Sequence, residues 1–256
     1  MGVSGEVGRG CPARGEQPVN RPGPAALQDH SAGQRDHHEV ILEPFAARRE
    51  RPDLRGADLS GSNLRAASLV RTRLTDARLL GADLSGAVLA DADLTRASFK
   101  LAHAGPPGAN FRNARLRRAG LDHTSFAESD FSGADLGEAN LEAANFAGAE
   151  LTGVSFVGAR LEGTNFRSAR LNHADLSHAL LYRADLTGAT LEDATFGRTV
   201  IAACPSLAAA VGLRVTSHLA QSSIDLSTLS EILGRLPPEF MDGLGAPASL
   251  LVRSEE

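Results

Sequence analysis

The chain has 256 residues, no tryptophan, one tyrosine and ten phenylalanines, with a formal net charge of −5 at pH 7. A net acidic balance argues against a nucleic-acid binder, whose footprint is a basic face, so no direct nucleic-acid contact is expected. No apolar run approaches the ~18 residues of a membrane span, and the N-terminus lacks the apolar core of a secretion signal. Two cysteines, Cys11 and Cys204, make no disulfide framework and suit a reducing compartment; a cytoplasmic protein is expected, without membrane contact.

Residues 1–38 are rich in Gly, Pro, Arg and Gln with almost no large apolar side chains, and disorder is expected there. His37-His38 near His30 reads as part of that polar tract and not as a metal site. Residues 39–53 change character: Val40, Ile41, Leu42 and Phe45 are suited to cover the open end of whatever follows, and Arg48, Arg49 and Arg51 lead into it.

From Leu54 a Leu or Phe recurs every fifth residue, through Phe99 and then from Phe111 to Ile201, giving 29 units with Ile201 as the one variant. A fixed period of this kind marks a repeat architecture. Residues five apart on an α-helix lie about 140° apart, leaving no apolar face. In a flat strand, odd spacing sends successive side chains to opposite faces. The beat therefore requires a chain that turns every five residues so that each centre points inward. Two positions before each centre sits a small residue such as Ala57, Ala67, Ala77 or Ala134, as a tight corner demands, with Val154 as the clear misfit.

The units read A-D-L-S-G, as in Ala57-Asp58-Leu59-Ser60-Gly61 and Ala134-Asp135-Leu136-Gly137-Glu138. They resemble the pentapeptide-repeat family. That resemblance implies an all-β solenoid, a right-handed quadrilateral β-helix with four units per coil and about seven coils, roughly 35 Å long at the strand spacing, in which Phe126, Phe146 and Phe166, each twenty apart, stack in one core column. The resulting division is a disordered arm over 1–38, the β-helix over 39–203, and a small α-helical cap or tail over 204–256.

Between Phe99 and Phe111 the spacing is twelve, two more than two units. The insert, residues 100–108, is centred on Gly105-Pro106-Pro107-Gly108, a turn signal, and is expected to bulge into a protruding loop. Loops on rigid scaffolds carry function, so Pro106 and Pro107 are candidate contact residues. After Ile201 the period stops and residues 205–256 read as helical: a short element with Leu207, Val211 and Leu213, a helix N-capped by Ser227 and ended by Gly234, and a last helix starting at Pro237-Pro238 with Phe240 and Leu244. The string Ser223-Ile224-Asp225-Leu226-Ser227-Thr228-Leu229, followed by Gly234-Arg235-Leu236-Pro237 and then Phe240 and Gly243-Leu244-Gly245, resembles a tail that joins repeats to Toll/interleukin-receptor-like effector modules in some bacterial pentapeptide-repeat proteins. About ten residues follow it here, too few for such a module.

A convex stack with an apolar core offers no convergent catalytic groups, and no cofactor, metal set or nucleophile–base pair is legible. The surface is more informative. Asp122, Glu142 and Glu162 fall twenty apart, in one outward column topped by Tyr182. Like charges so stacked are destabilising, which makes them a candidate ridge for a cationic partner. Arg115 is expected to face Asp135, and Glu150 to face Arg170. Leu180 occupies an outward site, with Val200 above it and Tyr182 beside it, an apolar patch for the tail to cover or, as second choice, for a homodimer through the last coils or the tail. The leading reading is a non-catalytic scaffold that binds an unidentified protein, accessory to a bacterial stress or immunity system. The alternative is a DNA mimic that binds DNA gyrase, as quinolone-resistance members of the family do. Residues 52–203 hold eighteen Asp and Glu against sixteen Arg and Lys, whereas mimicry needs a sustained negative rod, since the duplex carries about one charge per 1.7 Å.

Overall fold

In the computed structural model the described residues are 51–232 and 234–245. The predicted arm and the capping residues Val40, Ile41, Leu42 and Phe45 lie outside them. Each five-residue unit is one straight segment and one corner. The Leu54 carbonyl accepts a hydrogen bond from the Ala57 amide at 3.0 Å, and between them Gly56 takes φ +66°, a reverse turn whose third residue is left-handed. The same turn recurs at Leu59–Ser62 with Gly61 and at Leu64–Ala67 with Ala66.

Successive coils are joined by parallel bridges at a constant offset: Asp53 pairs with Arg73, Asp58 with Arg78, Asn63 with Asp83 and Ser68 with Val88. The offset of twenty means that four units complete a coil, and the four faces are numbered here from the segment around Leu54. Backbone groups are satisfied from coil to coil, as in Leu54 N–H to Arg73 C=O at 2.8 Å and Arg73 N–H to Pro52 C=O at 2.8 Å, so hydrogen bonding and core packing are won by the same stacking. The centres from Leu64 to Ile201 are buried to within 2 % of full burial. Phe126, Phe146 and Phe166 form the expected column, with centroids 5.9 Å apart at both steps. Val154 is fully buried at its small-residue site, so that corner tolerates a β-branched side chain.

The insert does not protrude. The register shifts from twenty to twenty-two residues between the Asp83–His103 and Val88–Asn110 bridges, and the added residues lie flush on the coils. Ala104 N–H donates to Ser125 C=O at 2.7 Å, and Pro107 C=O accepts from Gly86 N–H at 2.7 Å. Ala104 is fully buried and holds a centre site that the Leu/Phe beat concealed; Phe99, Phe111 and Phe126 meet edge to face in this layer, with centroids 5.3–6.2 Å apart. Gly108 explains the close fit, because a Cβ there would stand 2.3 Å from the Glu128 carbonyl oxygen. Pro106 and Pro107 are exposed, but as a low step in one face.

The coils also continue past Ile201. Strands β1 (Leu180–Tyr182), β2 (Thr195–Gly197), β3 (Val200–Ala202), β4 (Ser217–Ala220) and β5 (Ser223–Ile224) pair in parallel as β1-β3-β5 and β2-β4. With the Thr190–Val211 bridge, they make residues 205–224 an irregular further turn of the stack in place of the expected helix. Short 3₁₀ segments at Pro205–Ala209 and Leu213–Val215 form part of it and bury Leu207 and Leu213. Inward side chains thus persist where their five-residue spacing is lost.

Two helices then close this end. Helix α1 (Leu226–Ile232) starts after Asp225 and not at Ser227: Asp225 Oδ1 accepts from Thr228 N–H at 3.3 Å and Ala203 N–H at 3.1 Å, which ties the helix start to the last coil, and the Ser227 and Thr228 hydroxyls, ahead of these amides, hold the carboxyl down at about 2. Gly234, at φ +80°, follows its end. Helix α2 (Pro238–Gly243) buries Phe240 and Met241. His218 of β4 lies between Phe196 (5.6 Å between ring centroids) and Phe240 (5.1 Å), and a Cβ on Gly243 would stand 2.1 Å from the imidazole.

Candidate functional site

Six of the eight candidate contact residues converge on the second face. The twenty-residue register carries Asp122, Glu142, Glu162 and Tyr182 up one column: the carbonyl oxygens of Glu142, Glu162 and Tyr182 accept from the amides of His123, Ala143 and Gly163 at 2.7–2.8 Å. Leu180 and Val200 stack beside that column, Leu180 over Arg160 and Val200 between Leu180 and Ser223. Pro106 and Pro107 are not part of this surface: they belong to the next face, where Pro107 meets Gly86.

The acidic ridge is milder than its spacing implies. The two-residue insert brings Lys100 directly below Asp122, and its ammonium meets that carboxylate at 3.2 Å. Arg160, one column over, reaches Glu162 at 3.1 Å. Only Glu142 in the middle makes no ion pair among the described residues. Across the other faces the predicted Glu150–Arg170 pair forms at 3.5 Å. Arg115 does stack against Asp135, but the cation that reaches Asp135 is Arg117, at 3.8 Å. Exposed pairs of this kind contribute only about 0–1 kcal/mol each.

The described part of the tail, up to residue 245, does not cover the apolar patch. Strand β5 extends the ladder above Val200 by backbone pairing, with Ser223 as the next side chain, so Val200 stays 41 % exposed and Tyr182 39 % exposed. The Arg183 guanidinium lies 5.2 Å from the Tyr182 ring centroid, a cation–π contact that holds the ring against the surface. Two residues that the sequence reading missed belong to the same face: Leu80, two rungs below Asp122 and 39 % exposed, and Leu101, beside Lys100 and 59 % exposed. Leu80 was legible, being twenty before Lys100. Leu101 was hidden because the insert was expected to loop away. The face thus has a charged centre flanked by apolar side chains on both sides.

The Pentapeptide repeats family matches this chain over residues 53–89, 67–103, 107–133, 129–167 and 159–198, in 8 copies that together span more than half of the sequence and stop short of the tail. No curated protein matches it. Among solved structures it is similar to HetL of the cyanobacterium Nostoc sp. strain PCC 7120, a protein involved in heterocyst differentiation regulation (25 % identity, 66 % of this chain and 86 % of that one, TM-score 0.34). It is also similar to the plasmid-mediated fluoroquinolone resistance protein QnrB1 (20 %, 77 % and 92 %, TM-score 0.43) and to a pentapeptide repeat protein of the Arabidopsis thaliana thylakoid lumen (32 %, 44 % and 68 %, TM-score 0.23). With its five-residue beat, twenty-residue register and family match, the chain belongs to the pentapeptide-repeat family, and its coils form that family's right-handed β-helix.

Proposed function

We propose that the stack, a quadrilateral of about seven coils, is a non-catalytic scaffold that binds a protein partner through its second face. The observation that carries this reading is the grouping of Leu80, Leu101, Tyr182 and Val200, all 39 % exposed or more, along one face around Glu142, which makes no ion pair among the described residues. Large apolar side chains scattered singly need no explanation, whereas a set aligned on one face and framed by charge has the composition of a contact surface. The partner that fits offers a basic centre between apolar patches. A homodimer through the last coils would bury only the Tyr182–Val200 end and leave the Leu80–Leu101 end open.

Capture from native lysate on immobilised protein tests the reading when variants are compared. Tyr182→Ala with Val200→Ser, and separately Glu142→Lys, should each lower recovery of the captured protein severalfold while the melting temperature stays nearly constant. Asn172→Lys on the fourth face should leave recovery unchanged. Equal recovery with all variants sinks the assignment of this face, and sedimentation of the purified protein as a dimer moves the contact to a second copy. Gyrase mimicry fits less well: residues 51–118 carry twelve Arg and Lys against six Asp, so half of the stack has the wrong sign. Inhibition of supercoiling at micromolar protein would reverse that preference.

A further inference from the structure

The corner between the fourth and first faces carries an open groove of about 500 Å³. Two stacked columns form its walls. In one, Arg73, Asp93 and Arg115 follow each other across parallel bridges. In the other, Arg71, Asp91 and Asn113 succeed one another at the corner, and Arg51 closes the lower end.

The arginines of this groove differ from most of their neighbours, Arg78 at 3.6 Å from Asp58 being the exception. On the same coils Arg55, Arg65, Arg96, Arg112 and Arg118 each hold a carboxylate at 3.2 Å or closer. Arg71 approaches Asp91 only to 3.7 Å, and Arg73 approaches Asp53 only to 3.9 Å. Arg115 and Arg51 make no ion pair among the described residues. Of the two groove carboxylates, Asp93 is engaged by its own turn, accepting from Thr95 N–H at 3.2 Å and Thr95 Oγ1 at 2.7 Å. Four guanidinium groups therefore face one cleft with their donors largely unused, on a chain whose net charge is −5. Guanidinium forks match phosphate oxygens bidentately. The volume falls within the few hundred Å³ of small-ligand sites, but the lining is polar, so what it recognises is charge.

We propose that this groove binds a small polyvalent phosphate-bearing anion, either free polyphosphate or the triphosphate of a nucleotide. It is distinct from the second face and independent of any partner there. Calorimetric titration of the full chain with tripolyphosphate at near-physiological salt tests it. Saturable one-to-one binding is expected, weakened at least about tenfold by Arg73→Gln with Arg115→Gln. Arg115→Gln alone, which breaks no ion pair, should weaken binding severalfold and guards against misfolding of the double variant. Asp91→Asn should tighten it, because a carboxylate leaves the groove and Arg71 is released. Arg65→Gln, on another corner, should change affinity less than about twofold. ATP in place of tripolyphosphate identifies the source: equal or tighter binding assigns the site to nucleotides, weaker binding to free polyphosphate. Absence of saturable binding up to millimolar anion overturns the proposal, as does an Arg65→Gln effect as large as that of Arg115→Gln, which would mean diffuse attraction.

Discussion

The coils before and after residue 118 share one backbone and differ in almost everything else. Residues 51–118 carry twelve basic and six acidic side chains, while residues 119–200 carry five basic and twelve acidic. The lower centres are leucines apart from Phe99, Ala104 and Phe111; the upper ones include Phe126, Phe131, Phe146, Phe156, Phe166 and Phe196. The bridges and corner turns run from Asp53 to Val200 without change beyond the one two-residue step. The fold constrains the centre, the small residue two before it and the left-handed corner residue. Most remaining positions face solvent, where a charge costs little, so the two halves are free to acquire opposite signs and different binding surfaces.

The largest effect should show that the halves are equal in what the fold requires. Leu141→Asp in the upper coils and Leu79→Asp in the lower ones each bury a carboxylate without a partner; both should lose β circular dichroism and solubility, and survival of either would show that its centre does not point inward. Truncating the cores separates the halves. Phe146→Ala, which removes the middle ring of a three-ring column, should cost about 3–5 kcal/mol. Leu94→Ala should cost about 2–5 kcal/mol, with the loss confined to the lower coils in hydrogen exchange; matching exchange patterns for the two variants would mean that the stack unfolds as one unit.

Two buried threonines sharpen the comparison further. Thr164 Oγ1 donates to Leu141 C=O at 2.9 Å, whereas Thr72 Oγ1 in the lower half is buried with no partner among the described residues. Thr164→Val should destabilise by about 1 kcal/mol and Thr72→Val should stabilise by a similar amount, as read by denaturant midpoints. The smallest effect is local to the helical end. Burial lowers the pKa of His218 below its usual 6.5, so the unfolded chain takes up this proton at higher pH than the folded one. The histidine's contribution is complete above about pH 6.5 and falls as the pH drops below it. Exchange of amides in β4 and α2 should speed up between about pH 6.5 and pH 5 while coil amides, corrected for intrinsic rate, stay constant; His218→Phe should abolish the difference.

The residues themselves explain what was legible. The centres, the aromatic column and the register of the second face followed from the period, because a side chain that must return inward every fifth residue leaves a chemical trace. Lys100 beneath Asp122 did not follow: the insert shifts the register by two, and whether a Gly-Pro-Pro-Gly segment loops out or lies flat depends on how closely Gly108 can approach Glu128. Ala104 was missed since an alanine at a centre looks like an alanine anywhere. The turn over 205–224 was missed because its inward residues Leu207 and Leu213 are six apart and carry no beat. The Asp225 cap was missed because its selection over Ser227 depends on the Ala203 amide in the coil below.

By itself the sequence determined that the chain turns every five residues around a Leu/Phe core, since neither a helix nor a flat strand buries that spacing; four such turns to a coil came with the family resemblance, and the twenty-residue bridges carry it. Only the tertiary structure decided which charges meet, how the insert lies, how far the coils run before the helices close them and which arginines remain free. Those outcomes rest on distances of a few ångströms between residues twenty or more apart, to which a local period is blind.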